Sequence, residues 1–442
     1  MGGLCFQTLS ATRLLTFFTF VLWCIVACRL QVNQARSLVD GPSKLSLFQS
    51  NDSTAATNMN VLEAADEVRR RLGYYGGGGV GGGGGSFNII DRCWRGDSDW
   101  AEDRMTLAGC GIGFGSNAVG GKGGEYYVVT DEGDDAVDPA PGTLRYGAMQ
   151  LTPLWIIFDR DMNIRLDNEL IIMSDKTIDG RGANVHIGNG PCLTIQDVSN
   201  VIIHGLHISG CQPGKSGDVR SSTMHLGYRE GSDGDAISIL NSHIVWIDHN
   251  TFASCQDGLV DVIHGSTAIT ISNNAFSHHD KVMLLGHDDS YEADTNMRVT
   301  VAFNRFGPGL VQRMPRCRLG YFHIFNNDYV EWSMYAVGGS ADPTIISENN
   351  RYQASDSVKE VTKRDCNEGP SYWGGWKWVS RGDLFLNGAF FVESGDGSSY
   401  RSPIHDSQQF EDFMASSSSS SFNPSMTSSA GALSCSRSRP CS

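Results

Sequence analysis

A short motif recurs along the second half of the chain and constrains the fold more than any other feature. Each copy has a β-branched or aromatic entry, an asparagine, one further residue and then Phe or Tyr. The copies are IDHNTFA (247–253), ISNNAFS (271–277), VAFNRFG (301–307), IFNNDYV (324–330) and ISENNRYQ (346–353). Their asparagines, at 250, 274, 304, 327 and 350, are 24, 30, 23 and 23 residues apart. Self-similarity at such a period is typical of a solenoid.

The segments between the motifs are short, β-branched and punctuated by Asn, Gly and Ser. They lack a helical period long enough for crossover helices, which argues against a doubly wound sheet or a barrel with outer helices. A repeat of about 23 residues with several short strands suits one coil of a parallel β-helix. Stacked asparagines would hydrogen-bond along the coils, and stacked aromatic rings would fill the core. A leucine-rich repeat is the rival, but its regularly spaced leucines are scarce here. We therefore predict an all-β fold, a parallel β-helix.

The first 28 residues predict a signal peptide. Arg13 precedes an apolar run, LLTFFTFVLWCIVAC (14–28), which has the length of a signal-peptide hydrophobic region and is short for a membrane span. An uncleaved signal anchor is the alternative. We expect residues 1–28 to direct the chain into the secretory route, without stable membrane association after cleavage. Asn51 lies in the sequon Asn51-Asp52-Ser53 and is the expected glycosylation site.

The rest of the chain divides by composition. Residues 29–87 form a polar segment that contains a short predicted helix (61–72) and a glycine-rich flexible linker (76–85). Residues 88–395 form the predicted β-helix domain. Residues 396–442, around a run of serines, are expected to be a disordered low-complexity tail.

Charge is sorted along this acidic chain, whose formal net charge is -15. Residues 297–320 contain five arginines (298, 305, 313, 316 and 318) and no Asp or Glu. Residues 228–261 contain six acids (Glu230, Asp233, Asp235, Asp248, Asp257 and Asp261) against Arg229 alone. The repeat supplies a reason for this sorting.

Counting from the repeat places four charged residues in a column. Asp257 follows Asn250 by seven residues, and Lys281 follows Asn274 by seven. Arg313 follows its own asparagine by nine residues, and Asp233 precedes Asp257 by 24, which is one coil. Because neighbouring strands lie about 4.8 Å apart, the two aspartates should be roughly 5 Å apart and the arginine about 15 Å from the first.

Two further aspartates, Asp235 and Asp261, should lie beside Asp233 and Asp257. Four carboxylates gathered in one place repel one another unless a cation lies among them. Hard oxygen ligands at loose spacing suit calcium better than zinc or magnesium. The alternative is that these residues form turns, since Asp-Gly and Gly-Asp pairs are common turn formers.

The arginines suggest an anionic partner. Arg313 and Arg318 would face opposite ways in a straight strand, but Pro315 cannot join a strand ladder, and a bend there would bring both to one surface. Arginine suits bidentate recognition of carboxylates. A calcium site beside lysine and arginine therefore predicts an anionic polymer rather than nucleic acid, which the surrounding acids would repel. Alternatively, the arginines neutralise acids elsewhere in the chain.

Many longer motifs together resemble the plant pectate lyases of polysaccharide lyase family 1. These motifs are DRCWRGD, AGCGIGFG, KTIDGRGANVHI, NVIIHGLHI, DGDAISI, HIVWIDHN, DGLVDVIHGSTAITISNN, HHDKVMLLGH, VQRMPRCRLGYFH and YAVGGSADPTI, with SSAGALSC in the tail. The resemblance spans about 88–395. It implies a right-handed, single-stranded parallel β-helix that cleaves de-esterified polygalacturonate by calcium-dependent β-elimination. It also implies a secreted, monomeric enzyme of the plant cell wall.

The resemblance assigns roles to individual residues. The implied calcium ligands are Asp233, Asp257 and Asp261, with Asp235 alongside. Lys281 and Arg318 would bind substrate, and Arg313 would be the catalytic base. A guanidinium normally stays protonated, so the base role rests on the resemblance alone. The family's disulfides imply the pairs Cys93–Cys110 and Cys192–Cys211.

Three other functions compete with this one. A non-catalytic carbohydrate-binding protein of the same fold would retain the charged column without turnover. A pectin lyase acting on methyl-esterified polymer would lack the calcium aspartates. A polygalacturonase would need a different set of acids, which the sequence does not contain.

Overall fold

The computed structural model describes residues 88–396 and 424–442. The predicted leader, Asn51, the helix at 61–72, the glycine-rich linker and the serine run at 416–421 lie outside these residues. The α-helices are α1 (Ile89–Trp94), α2 (Leu144–Ala148) and α3 (Pro370–Trp373). Short 3-10 helices span Arg104–Gly109, Gly113–Gly115, Glu292–Asn296 and Pro424–Met426. Within the described residues, no helix has both the length and the apolar character that crossing a bilayer requires.

Nearly all strands belong to three long parallel sheets. Sheet 1 consists of β1 (Glu125–Val129), β2 (Leu154–Phe158), β5 (Lys176–Asp179), β8 (Ser199–His204), β13 (His243–Asp248), β16 (Thr267–Ser272), β20 (Arg298–Ala302), β24 (Tyr321–Phe325), β27 (Thr344–Glu348) and β30 (Trp378–Arg381). Sheet 2 consists of β3 (Met162–Ile164), β6 (Val185–Gly188), β9 (His207–Ser209), β14 (Thr251–Ala253), β17 (Ala275–Ser277), β21 (Arg305–Phe306), β25 (Asp328–Val330), β28 (Arg351–Gln353) and β31 (Leu384–Leu386). Sheet 3 consists of β4 (Leu170–Ile171), β7 (Leu193–Gln196), β12 (Ile237–Leu240), β15 (Val260–Ile263), β19 (Met283–Leu285), β23 (Arg316–Arg318), β26 (Val337–Ser340) and β29 (Thr362–Arg364).

Two small strand pairs lie beside sheet 3. An antiparallel hairpin joins β10 (Gly217–Ser222) to β11 (His225–Arg229) just before β12. Strand β18 (His279–Lys281) pairs in parallel with β22 (Leu310–Gln312). Both pairs belong to the turns that lead from sheet 2 into sheet 3.

The chain passes through the three sheets in a fixed order on each coil. Strand β13 leads to β14, then to β15, and then to β16, which pairs in parallel with β13. Because each sheet takes one strand from every coil, residues one coil apart in sequence become neighbours. The predicted parallel β-helix is confirmed.

The asparagine ladder links the coils at the turn between sheets 1 and 2. The Oδ1 of Asn274 accepts hydrogen bonds from the backbone N (2.8 Å) and the Nδ2 (3.1 Å) of Asn250. The same pair of bonds recurs on each following coil. The residue before each ladder asparagine has a left-handed backbone, as at His249 (φ 52°) and Asn349 (φ 52°). The ladder thus satisfies buried polar groups of a tight turn.

The ladder ends on a residue that the sequence motif did not include. Asp383 follows Asn350 by 33 residues and occupies the next ladder position, where its Oδ1 accepts from the backbone N of Asn350 (2.7 Å). Phe385 likewise extends the aromatic stack, with its ring centroid 5.7 Å from that of Tyr352. The stack therefore has six rings, at positions 252, 276, 306, 329, 352 and 385.

The outer face of sheet 1 is covered by both ends of the described chain. Helix α1 and residues 424–442 enclose a second apolar cluster around Trp155 and Trp246, separate from the core inside the coils. Asn88 donates to the carbonyl of Met426 (3.0 Å), and Arg95 donates to that of Cys441 (2.9 Å). Residues 424–442 therefore differ from the expected disordered tail, because they are packed against the β-helix.

The described residues contain three disulfides. Cys93–Cys110 and Cys192–Cys211 are the pairs that the resemblance implied. Cys435–Cys441 was not predicted and closes a loop in the C-terminal segment. Three cysteines remain free in this part of the chain, at positions 255, 317 and 366.

Candidate active site

The predicted column lies where the chain turns from sheet 2 into sheet 3. Its members are Asp233, Asp257, Lys281 and Arg313. The backbone N of Asp257 lies 3.5 Å from the carbonyl oxygen of Gly234, one coil earlier. Lys281 pairs with Gln312 across β18 and β22, so Arg313 lies one coil after Lys281. The structure therefore brings the four residues together on successive coils.

The aspartates form a compact group, which we call the aspartate cluster (Asp233, Asp235, Asp257 and Asp261). Asp233, Asp235 and Asp257 each offer a carboxylate oxygen within 4.8 Å of the others. Asp235 is held from two sides, because its Oδ1 accepts from the backbone N of Gly258 (2.6 Å) and its Oδ2 from Ser238 Oγ (2.7 Å). Fixed carboxylates from two adjacent coils thus converge on one place.

A glycine allows the fourth carboxylate to approach. A Cβ at Gly258 would lie 2.4 Å from Asp261 Oδ1 and 2.8 Å from Asp235 Oδ1, so any larger residue would push the carboxylates apart. Asp261 is only 8% exposed, and its Oδ1 accepts from the backbone N of Leu284 (3.2 Å). It lies on the buried side of the cluster, next to Asp235, and is not one of the three whose oxygens converge.

Burial and mutual repulsion raise the pKa values of two carboxylates in the cluster. Burial, with the charge of Asp233, raises the pKa of Asp235 to about 6. Burial, with the charge of Asp235, raises the pKa of Asp261 well above its usual range. Crowded, buried carboxylates with raised pKa values are a fitting donor set for a hard divalent cation. Calcium therefore fits the residues present.

Lys281 is the cation nearest the cluster. Its Nζ forms an ion pair with Asp257 Oδ1, and both side chains are about one-third exposed. His279, in the same strand, has its Nε2 2.6 Å from the carbonyl oxygen of Asp257. Lys281 is thus placed to exchange Asp257 for another carboxylate.

Arg313 lies at a break between two strands. Strand β22 ends at Gln312 and β23 begins at Arg316, and Arg313 itself has a left-handed backbone (φ 63°). Its carbonyl accepts from the backbone N of Met283 (2.7 Å), which ties it to the coil of Lys281. Its buried Nε has no hydrogen-bond partner among the described residues. The interruption expected around Pro315 is present.

The other two arginines of this segment are held by acids from neighbouring loops. Arg318 Nε donates to Asp289 Oδ1 (2.7 Å), and its Nη1 donates to the carbonyl of Gly286 (2.7 Å). Arg316 Nη2 forms an ion pair with Asp365 Oδ2 (2.9 Å). Burial and the charge of Arg318 lower the pKa of Arg316. The ion pair that each of these two arginines forms therefore fits the alternative that the arginines neutralise acids elsewhere in the chain.

Sequence reasoning missed the residues that hold the arginines. Asp289 lies in an acidic loop just before the acid-free stretch 297–320, and Asp365 follows a sheet 3 strand. The absence of acids beside the arginines was itself a signal that their counter-charges come from other coils. Gly258 was also missed, although its place in the segment QDGLV between two aspartates marks it.

A second group of buried ionisable residues lies on the other side of the molecule, and we call it the histidine cluster (Asp91, His204, Asp248 and His249). Asp248 Oδ2 lies 3.0 Å from His204 Nδ1 and 2.7 Å from His249 Nδ1. His249 Nε2 lies 3.1 Å from Asp91 Oδ1, on helix α1. Both aspartates raise the pKa of His249 to about 9 despite its burial. The imidazolium of His249 therefore lies between two carboxylates, and Arg95 supplies a second cation to Asp91. These contacts make the cluster a structural link between α1 and sheet 1.

Comparison with known proteins identifies the family of the chain. The profile of a family described as pectate lyase matches residues 165–371, which include the aspartate cluster and the arginines. Probable pectate lyase 22 of Arabidopsis thaliana is 56% identical over 377 residues, 84% of this chain and 84% of that relative. A pectate lyase of Zinnia elegans is 60% identical over 330 residues, 74% of this chain and 80% of that relative.

A solved structure shares the fold. Jun a 1, the major allergen from cedar pollen, matches with a TM-score of 0.73 and 50% sequence identity, covering 78% of this chain and 100% of that chain. The family resemblance seen in the motifs is confirmed. With relatives of this identity over most of its length, the chain belongs to the pectate lyase family.

Proposed function

We propose that this chain is a pectate lyase that cleaves de-esterified (1→4)-α-D-galacturonan by calcium-dependent β-elimination. The observation that carries the proposal is the order of charges along the coils: aspartates, then Lys281, then Arg313. A polymer with one carboxylate on every sugar suits a surface that offers cation-binding acids and fixed cations in alternation.

Asp233, Asp235 and Asp257 would hold the calcium, with Asp261 behind them. When bound, calcium withdraws electron density from the substrate carboxylate and so favours loss of the adjacent proton. The raised pKa values of Asp235 and Asp261 support this assignment, because a cation would replace the protons that relieve their repulsion.

Lys281 and Arg318 would bind the carboxylate of the reacting sugar. Lys281 changes partner from Asp257 to the uronate, while Arg318 keeps its orientation through Gly286 and Asp289. Both cations stabilise the negative charge that develops next to the carboxylate in the transition state.

Arg313 would remove the proton from C5 of the sugar. The C5–H bond breaks, a C4=C5 double bond forms, and the C4–O bond to the leaving chain breaks, with its oxygen taking a proton from water. A guanidinium is ordinarily protonated. Among the described residues, the buried Nε of Arg313 has no hydrogen-bond partner, so it is not engaged by another group of the chain.

The direct test mixes purified protein with polygalacturonate and calcium and follows the ultraviolet absorbance of the 4,5-unsaturated product. We expect product with calcium and none after a chelator is added. Folded protein that gives no product with calcium present would overturn the proposal.

We infer that the enzyme acts outside the cell as a monomer, on pectin of the cell wall. The predicted signal peptide at 1–28 and sequon at Asn51 support secretion. Mass determination of the secreted protein tests all three expectations, because cleavage, glycosylation and subunit number each change the mass.

A non-catalytic pectin-binding protein is the second candidate. The cedar pollen protein that matches this chain is described as an allergen, and that description does not mention catalysis. Retained polymer binding with no unsaturated product in the same assay would favour this alternative.

A further inference from the structure

The column of charged residues continues past the arginines to a lysine. Lys363, in β29, lies opposite Gly338, which lies opposite Arg316 in β23. Arg316 in turn lies opposite Leu284, and Leu284 opposite Asp261. With strands about 4.8 Å apart, Lys363 is roughly 10 Å beyond Arg316 and about 19 Å beyond Asp261 along the coil axis.

Lys363 differs from the other cations of this face in its partners. Lys281, Arg316 and Arg318 each form an ion pair with an aspartate. The exposed Lys363 has its Nζ 3.6 Å from Met334 Sδ and 5.6 Å from the centroid of the Tyr335 ring. In residues 88–396 and 424–442, no carboxylate lies within ion-pairing distance of its ammonium. Its charge is therefore available to an external anion.

Between Arg316 and Lys363 the strand register places Gly338, and the ring of Tyr335 lies over this glycine. A Cβ at Gly338 would lie 2.3 Å from the ring of Tyr335, so only glycine fits above this ring. Tyr335 is buried and connects the two cations, because its ring contacts Lys363 while the charges of Arg316 and Arg313 act on its hydroxyl. Arg316 and Lys363 therefore lie on the same face of sheet 3 and are connected through the ring of Tyr335.

We propose that Lys363 binds a carboxylate of the polygalacturonate chain at an outer subsite, beyond the sugar that undergoes elimination. The proposal rests on the proposed function, since it assumes that the polymer lies along the column. Lys363 would act in binding and not in chemistry, and would make the enzyme prefer chains long enough to reach it.

The test compares Lys363→Met with wild type on polygalacturonate and on short oligogalacturonates. Methionine keeps the length and apolar contacts of the side chain while removing its charge. We expect KM for the polymer to rise about three- to tenfold, as for loss of one partly exposed ionic contact. The ratio of KM values between polymer and the shortest cleaved oligomer should change, and added salt should reduce the difference from wild type. Lys363→Arg should restore the polymer KM.

The matched control is Lys122→Met, which removes the same charge from an exposed turn before β1 at the other end of the solenoid. An unchanged polymer KM for Lys363→Met, or an equal change on polymer and shortest oligomer, would overturn the subsite. Calorimetric binding of saturated oligogalacturonates separates the two proposals. If wild type forms no unsaturated product, the lyase proposal fails, while weaker binding of long oligomers by Lys363→Met would still support the subsite.

Discussion

The aspartate cluster and the histidine cluster place similar acids in opposite electrostatic states. In the histidine cluster, burial alone would raise the pKa of Asp248, but the charges and hydrogen bonds of His249 and His204 lower it below its usual range. In the aspartate cluster, burial raises the pKa of Asp235 with little compensation. The chain supplies the counter-charge on one side of the β-helix, whereas on the other side Asp257 alone of the four cluster aspartates forms an ion pair with a described residue, Lys281.

This difference separates stability from function. A carboxylate whose partner is part of the chain stabilises the folded state, and losing that partner is costly. Carboxylates that lack such a partner destabilise the unliganded state and gain from a bound cation. Four measurements test the separation.

The largest effect is expected at Arg313. Arg313→Lys keeps a cation in place but changes the proposed base, so turnover should fall by at least about 10³-fold. The free energy of unfolding should stay within about 0.5 kcal/mol of wild type. Product absorbance and chemical denaturation measure the two quantities, with exposed Arg305→Lys as control. Near-normal turnover would show that Arg313 is not the base.

The converse is expected at His249. Asparagine tolerates its left-handed backbone, and on the next coil Asn273 occupies the equivalent position before the ladder asparagine. His249→Asn removes the cation that Asp248 and Asp91 share, and because Asp91 keeps its ion pair with Arg95, the uncompensated carboxylate is Asp248. The substitution should lower the free energy of unfolding by about 3–5 kcal/mol. Denaturation curves measure this loss, against exposed His243→Asn as control. If the fully folded variant lost turnover instead, the two clusters would not be separable.

Calcium should stabilise the protein through the aspartate cluster. At a hundredfold excess over Kd, binding should add about 2.7 kcal/mol to the free energy of unfolding. Asp235→Asn should remove most of that gain, yet make the calcium-free protein about 1–2 kcal/mol more stable at pH 7, because one repelling charge is gone. Thermal unfolding with calcium and with a chelator distinguishes the two effects. A calcium gain unchanged by Asp235→Asn would place the metal elsewhere.

Asp383, at the last ladder position, gives the smallest test. Burial raises its pKa to about 6, although Ser347, Ser380 and Asn350 donate hydrogen bonds to it. The folded state keeps this proton between about pH 4 and 6, where the unfolded chain has released it, so this contribution to stability is lost as pH rises through 6.

Asp383→Asn should remove that pH dependence. The difference in the free energy of unfolding between the variant and wild type should therefore be about 1–2 kcal/mol more favourable to the variant at pH 7 than at pH 4. Denaturation at the two pH values measures the difference. An identical pH dependence in the two proteins would mean that Asp383 is ionised in the ladder without cost.

The sequence predicted the periodic part of the fold and site. Five copies of one motif were enough for the ladder and the aromatic stack, and counting from them placed Lys281 and Arg313 correctly relative to Asp257. Asp383 was missed because an aspartate replaces asparagine after a coil of 33 residues. The chemistry of the position is the same, since both residues offer an accepting oxygen.

The remaining features depend on segments without a period. Counter-charges such as Asp289 lie in loops of irregular length, and no spacing predicts which cation they contact. The folded C-terminal segment was not predicted, because the serine run that precedes it is typical of a disordered tail. Its signals were Cys435 and Cys441, which form a disulfide, and Met426, which is buried against sheet 1.

The short turn that carries the ladder has a consequence for how such a protein accepts insertions. From β8 onward, the link between sheet 1 and sheet 2 is two residues long on every coil, as with His249 and Asn250 between β13 and β14. Coil length nevertheless varies from 23 to 33 residues between ladder positions. The added residues lie on either side of sheet 3, as in 286–297 between β19 and β20. Loop grafts at these places should alter the walls around the bound polymer while the register of every coil is preserved.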